Sequence, residues 1–112
     1  MVNIEFLKNN DSIRLVINGH SDVCESGTNV VCAAVSGIFF ALLGYLTSCG
    51  GDKNIRIHSV EPGYADIECG TEKTEAMRMA CIGFIQISES YPDAVCVYNN
   101  VWESDITAKG KV

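Results

Sequence analysis

Positively charged residues are scarce in this sequence, and so is proline. Eight Lys and Arg residues stand against fourteen Asp and Glu residues, which gives a formal net charge of −6. A nucleic-acid partner is not expected, because phosphate binding requires clustered cations, and an acidic surface suits a cationic partner better. With two prolines and 47% hydrophobic residues, the 112-residue chain predicts one compact domain, residues 1–112, instead of a disordered segment.

Signatures of zinc binding and of secretion are also lacking. None of the six cysteines belongs to a C-x-x-C pair, so a structural zinc site of the usual spacing is not expected. Met1 leads into a strand-like segment without the basic region that begins a signal peptide. Several cysteines lie in apolar runs, as buried free thiols do. We therefore expect a cytoplasmic protein with reduced thiols and no cofactor.

The spacing of the apolar residues predicts the element order β-β-α-β-β-α-β. This is an α+β two-layer sandwich, with one mixed or antiparallel sheet and two helices. The predicted strands span residues 2–7, 12–17, 54–60, 64–69 and 94–98, and the predicted helices span residues 30–46 and 71–90. Alternation predicts a buried Ile57 in the third strand, and the apolar stripe of the second helix is expected to include Met79. The polar tail, residues 99–112, is expected to fray.

The first predicted helix is apolar around its whole circumference, apart from Ser36 and the hydroxyl group of Tyr45. Its length reaches the lower limit for a membrane span. Glycines dilute the run, however, no Lys or Arg flanks either end, and a capping signal, Thr28-Asn29, precedes it. We interpret it as a helix that is buried on two sides. In so small a domain the second side requires an overlying loop or a partner subunit, and a homodimer is therefore a hypothesis.

The segment between Gly19 and Ser36 combines the two groups that thiol catalysis needs. With Asn29 as the N-cap, Cys32 is the third helical residue, where free N–H groups and the helix dipole favour a thiolate and could bind an oxyanion. His20, in the preceding loop, could pair with this thiolate and transfer its proton. Ser36 lies one turn beyond Cys32 on the same face. The plainer alternatives are a buried, inert Cys32 and a surface histidine at position 20.

The remaining histidine and cysteine arrangements carry less weight. His58 is predicted on the outward face of a strand, where its side chain is exposed. Cys24 lies between His20 and Cys32, but three ligands at irregular spacing do not make the four-ligand site that is typical of structural zinc. We therefore expect no metal.

The dipeptide G-H, followed twelve residues after the histidine by the cysteine of V-V-C-A-A-V-S, resembles the signature of the ribosomal-processing cysteine proteases, the Prp (YsxB-like) family. The order of the predicted elements is similar to that family over nearly the whole chain. The resemblance implies a small α+β homodimer of the bacterial cytoplasm. It also implies the activity: removal of a short N-terminal extension from large-subunit ribosomal protein twenty-seven, with cleavage after a pair of phenylalanines, before ribosome assembly.

The resemblance further implies a role for each matching residue. Cys32 would be the nucleophile and His20 the general acid and base. Ser36 matches the family's serine one turn beyond the cysteine. We expect the loop from Gly19 to Gly27 to order over the bound peptide. The predicted supporting residues are Gly19, Asn29 and Ser36, and the predicted substrate-loop residues are Ser21, Asp22 and Gly27.

One position departs from the family pattern. Asn29 stands where the family usually has Asp, three residues before the cysteine. An amide can cap the helix and orient an imidazole, but it supplies no negative charge to an imidazolium. Two alternatives therefore stay open: a non-catalytic module that binds the same peptide during ribosome assembly, and a cysteine hydrolase of another substrate class.

Overall fold

A computed structural model of the chain describes residues 1–19, 30–48 and 55–102. Within them the order of strands and α-helices is β1, β2, α1, β3, β4, α2, β5, which confirms the predicted α+β order. The strands are β1 (Val2–Lys8), β2 (Ser12–Asn18), β3 (Arg56–Glu61), β4 (Tyr64–Gly70) and β5 (Val95–Asn99). The helices are α1 (Val30–Ser48) and α2 (Thr74–Ser90), and a 3-10 turn (Thr71–Lys73) leads into α2.

The described strands form one mixed sheet in the spatial order β3-β4-β2-β1-β5. Neighbouring strands are antiparallel except β1 and β5, which are parallel. The register of β2 against β4 places Asn18 opposite Tyr64. The end of β2 therefore lies beside the turn that joins β3 to β4, although the two segments are more than forty residues apart in the sequence.

The core lies between one face of the sheet and the two helices. Alternate residues of β1 and β2 point into it, as the period of two along a strand requires. Its largest fully buried side chains are Ile4, Phe6, Ile13, Leu15, Leu46, Ile67, Met77, Phe84 and Val95. Full burial of one such side chain contributes about 1.5–3 kcal/mol, so this cluster accounts for much of the folding free energy.

Helix α1 buries one face only within the described part of the chain. Val31, Val35, Phe39, Leu42 and Leu46 enter the core at helical spacing, and the opposite face is exposed. By length and composition alone α1 could cross a membrane, and 28% of its most apolar window is buried. Core helices of globular domains meet the same criteria. Because its buried side chains belong to the same cluster as the sheet, we interpret α1 as a core helix of this domain.

The prediction of a buried Ile57 was wrong. Its side chain is 52% exposed, and the pairing of β3 with β4 shifts register between Ile57 and Ser59. Strand β3 lies at the edge of the sheet, and most of its residues are exposed on both faces. Bulges of this kind are common at sheet edges, where they bend the strand and change the direction of its side chains.

The predicted stripe of α2 was misplaced at one methionine. Met79 is 74% exposed, whereas Met77 is fully buried. Met77, Ala80, Cys81 and Phe84 have the i, i+3, i+4, i+7 spacing of a complete apolar face, and this face meets the sheet. The predicted stripe lies about one fifth of a helical turn away from this observed face. The difference arises because weakly apolar residues on that side of α2 extend the apolar pattern around the helix.

Residues 99–102, at and just beyond the end of β5, are better ordered than the polar composition of the tail predicted. The Asn99 side chain accepts hydrogen bonds from the backbone N–H groups of Val101 and Trp102. The Trp102 ring packs edge-on against Phe6, with 5.5 Å between ring centroids. Residues 99–102 therefore do not fray, and residues 103–112 lie outside the described residues.

Candidate active site

Cys32 is half-buried in the first turn of α1, as the third helical residue. Val31 and Val35 are buried one turn apart and fix the helix against the core. Cys32 is one residue from Val31 and therefore lies at the edge of the buried face. The N–H groups of a first helical turn have no partner within the helix, and they carry the positive end of its dipole. Cys32 is thus next to N–H groups that have no partner within the helix, and it remains accessible.

Cys32 lines an open cavity of about 400 Å³. Gly19, Cys32 and Ser36 all line it, so the fold brings together three of the site residues that the sequence predicted. The other described residues that line it are mostly apolar and come from β1, β2, α1, β3, β4 and the turn between β3 and β4. They are Val2, Ile17, Val35, Phe39, Phe40, Val60, Glu61, Pro62, Gly63, Tyr64 and Ala65.

One side of this cavity is held by a contact between two glycines. The backbone N–H of Gly19 donates a hydrogen bond to the carbonyl oxygen of Gly63, with N and O 2.9 Å apart. Gly19 has φ +109° and Gly63 has φ +80°, which are backbone conformations that side chains disfavour. A Cβ atom on Gly19 would also overlap the Met1 carbonyl oxygen. This hydrogen bond therefore joins Gly19, the residue before His20, to the β3–β4 turn.

The other described cysteines lack this setting. Cys69 and Cys81 are fully buried, and burial raises the pKa of the Cys81 thiol to about 11. Cys96 is half-buried on β5, outside the cavity. A thiol must ionise and meet its substrate to act as a nucleophile. Of the four described cysteines, Cys32 alone combines a helix start with access to a cavity.

The remaining predicted site residues lie outside the described residues. They are His20, Ser21, Asp22, Cys24, Gly27 and Asn29. The catalytic dyad and the substrate loop therefore stay predictions. Across residues 1–19, 30–48 and 55–102, no group of three His, Cys, Asp or Glu side chains could hold a metal ion.

His58 does not line the cavity beside Cys32. Its ring is 40% exposed on β3, as predicted, and its Nε2 lies 3.1 Å from a Glu68 carboxylate oxygen. On the same face of the sheet, which is turned away from the helices, the Arg14 guanidinium forms a two-point ion pair with Asp66. These pairs stabilise the sheet and do not line the cavity.

Sequence reasoning missed the walls of the cavity. Phe40 had a signal, since it follows Cys32 and Ser36 at successive four-residue steps along one side of α1. The Pro62-Gly63 turn was predicted as a turn but not as part of the site. Its position beside Gly19 depends on the pairing of β2 with β4, which no local pattern encodes.

The family model of the cysteine protease Prp matches residues 1–96, a range that includes the cavity and the whole Gly19–Ser36 segment. The chain belongs to the cysteine protease Prp family. As a member of the Prp family it is a cysteine protease. Among curated proteins, none matches the chain.

Several solved structures share the fold of this chain at low sequence identity. The ribosomal processing protease Prp from S. aureus, in complex with a covalently linked product peptide, is 18% identical, with a TM-score of 0.76 over 89% of this chain and 100% of that one. The same protease with a substrate peptide gives 16% identity and a TM-score of 0.73, over 89% and 100% of the two chains. SMU.848 from Streptococcus mutans gives 20% identity and 0.62, over 88% and 93%.

Proposed function

We propose that this Prp-family protease removes a short N-terminal extension from large-subunit ribosomal protein twenty-seven before ribosome assembly. Cys32 is the nucleophile and His20 the general acid and base. The observation that supports this assignment is the position of Cys32, in the first turn of α1 and on the wall of an apolar cavity that Gly19 and Ser36 also line. His20 directly follows Gly19 in the sequence, and Gly19 lines the cavity.

The chemistry follows from these positions. The Cys32 thiolate attacks the scissile carbonyl carbon and forms a C–S bond, while N–H groups of the first α1 turn bind the resulting oxyanion. Protonated His20 gives its proton to the amide nitrogen as the C–N bond breaks, which releases the amine product and leaves a thioester. His20 then takes a proton from water, whose oxygen attacks the thioester. The C–S bond breaks, and the extension leaves as a carboxylic acid.

The apolar cavity supplies a subsite for the peptide. A volume of about 400 Å³ is within the usual range for a small-molecule pocket and holds a bulky side chain. Val35, Phe39 and Ala65 are buried in its floor, so an aromatic side chain placed there would exclude water from apolar surface on both sides. This fits cleavage after a phenylalanine pair, which the family resemblance implies. The S. aureus relative has been solved with substrate and product peptides bound.

The cellular setting is part of the proposal. We place the enzyme in the bacterial cytoplasm, as a homodimer that meets its precursor before the ribosome is assembled. The net charge of −6 favours encounter with a basic ribosomal protein, because complementary charge raises association rates. No nucleic acid, membrane or cofactor is required.

A peptide that spans the precursor's cleavage junction tests the assignment. Purified wild-type protein should cut it, and Cys32→Ala should not. Cys96→Ala is the matched control, because Cys96 is also half-buried but lies outside the cavity, and it should cut at the wild-type rate. Equal cutting by wild type and Cys32→Ala would refute the nucleophile. Cleavage of other peptides but not of this junction would refute the substrate.

A further inference from the structure

The cavity beside Cys32 has a charged side chain, that of Glu61, among the described residues that line it. Among the described residues that line it, Glu61 alone carries a charge, and the others are apolar or uncharged at neutral pH. Glu61 is exposed at the end of β3, whereas the floor residues Val2, Ile17 and Phe39 are buried. The carboxylate therefore stands on the rim of the cavity and the apolar surface lies below it.

Local structure holds Glu61 in this position. It pairs with Tyr64 across the tight β3–β4 turn, where Gly63 has a positive φ. The same turn accepts the hydrogen bond from Gly19. Glu61 is therefore held in a fixed position relative to Gly19, the residue that precedes His20 in the sequence. Within the described part of the chain, no cation is paired with its carboxylate.

We infer that Glu61 is a specificity-determining residue, which selects for a cationic residue and against an acidic one next to the bulky apolar residue that fills the cavity. This inference rests on the proposed peptide substrate. A peptide whose apolar side chain enters the cavity must carry its neighbouring residues past the rim. A Lys or Arg there gains attraction to the carboxylate, and an Asp or Glu is repelled at the same distance. The apolar floor excludes a charged side chain from the cavity itself, because its desolvation would not be compensated.

The test uses fluorescent peptides with a Phe-Phe pair and either Lys, Gln or Glu at the position immediately before or after it. Binding is measured by anisotropy on Cys32→Ala protein, and kcat/KM is measured on protein with Cys32 intact. Glu61 is exchanged for Gln and for Lys in both backgrounds. Asp11→Lys is the control, because Asp11 is exposed in the β1–β2 turn at the opposite end of the sheet and the exchange alters net charge equally.

At one of the two peptide positions, we expect the Lys peptide to bind Glu61-containing protein about five-fold more tightly than the Glu peptide. This ratio is what an exposed attractive pair of Glu61 with Lys and an exposed repulsive pair of Glu61 with Glu would together give. Glu61→Gln should remove this preference and Glu61→Lys should reverse it. Asp11→Lys should preserve it, and added salt should weaken it.

Two results would overturn the inference: no charge preference at either position, or equal loss of preference in Glu61→Lys and Asp11→Lys. Because binding is measured without the nucleophile, this failure is separable from failure of the proposed function. Cleavage without a Glu61-dependent preference contradicts the role of Glu61 alone. A Glu61-dependent binding preference without any cleavage contradicts only the proposed cleavage after a Phe-Phe pair.

Discussion

The N–H group of Gly19 and the carbonyl oxygen of Gly63 are hydrogen-bonded at 2.9 Å, which joins the residue before His20 to one wall of the cavity beside Cys32. Gly19 has φ +109°, and a Cβ atom there would overlap the Met1 carbonyl oxygen. We therefore expect Gly19→Ala to lower the free energy of unfolding by about 1–3 kcal/mol, since strain at such a backbone costs about that much. Urea denaturation measures this loss.

The same variant should reduce kcat at least about ten-fold, because a displacement of about 1 Å in a catalytic segment has effects of this order or greater. Gly44→Ala is the matched control. A Cβ atom on Gly44 meets nothing within 4 Å, and alanine is the better helix former, so stability and activity should be kept. Wild-type kcat in folded Gly19→Ala would contradict a positioning role for Gly19.

Cysteine reactivity should follow the different environments of the thiols. Cys32 is half-buried at a helix start, whereas burial raises the pKa of Cys81 to about 11 and leaves Cys69 with no exposed surface. At pH 7 we expect iodoacetamide to modify Cys32 at least about ten-fold faster than either buried cysteine. Mass spectrometry of proteolytic fragments resolves each site. Equal rates at Cys32 and Cys96 would contradict activation by the helix, since both are half-buried.

The Arg14–Asp66 pair predicts a pH dependence of stability. Hydrogen bonding from Arg14, with a further contribution from its charge, holds the Asp66 pKa below the ordinary value, although burial opposes this. A carboxyl whose pKa is lower in the folded state stabilises the fold above the unfolded pKa of about 3.9, and the contribution is lost as the pH falls through the folded pKa. Asp66→Asn should therefore lower the free energy of unfolding by about 1–3 kcal/mol at pH 7.

The difference between wild type and Asp66→Asn should shrink as the pH is lowered below 4. Thermal unfolding between pH 3 and pH 7 measures it. Asp11→Asn, in an exposed turn, is the control and should stay within about 0.5 kcal/mol of wild type throughout. A difference that is constant with pH would show that the cost at position 66 is one of packing and not of charge.

The order of elements could be predicted from the sequence because each element carries its own periodicity. Local patterns are present in residues 2–7 and 12–17, which alternate, and in the apolar run around Val35. Apolar residues of these patterns are buried in the core. Alternation alone could not show that β3 is an edge strand, and so Ile57 was wrongly expected to be buried. The pairing of Asn18 with Tyr64 was equally beyond prediction.

This limit explains which part of the site was found. Gly19, Cys32 and Ser36 were predicted because a short segment contains them together with a recognisable helix start. Glu61 and Pro62 reach the same cavity through strand pairing over a long sequence separation, and nothing near them in the sequence indicates a substrate. A local motif predicts the reacting groups, whereas the cavity walls can be assigned only from the tertiary fold.

The exposed side of α1 predicts the interface of the proposed homodimer. Ala33, Gly37 and Ala41 share this face, and a Cβ atom on Gly37 meets nothing within 4 Å, so Gly37→Glu should leave the protomer folded. In a symmetric dimer the exchange would bury two unpaired carboxylates, at a cost of several kcal/mol. We expect light scattering at micromolar concentration to give a dimer for wild type and for Asn3→Glu, on the open face of the sheet, and a monomer for Gly37→Glu. Wild-type protein that is monomeric, or Gly37→Glu that stays dimeric, would contradict this interface.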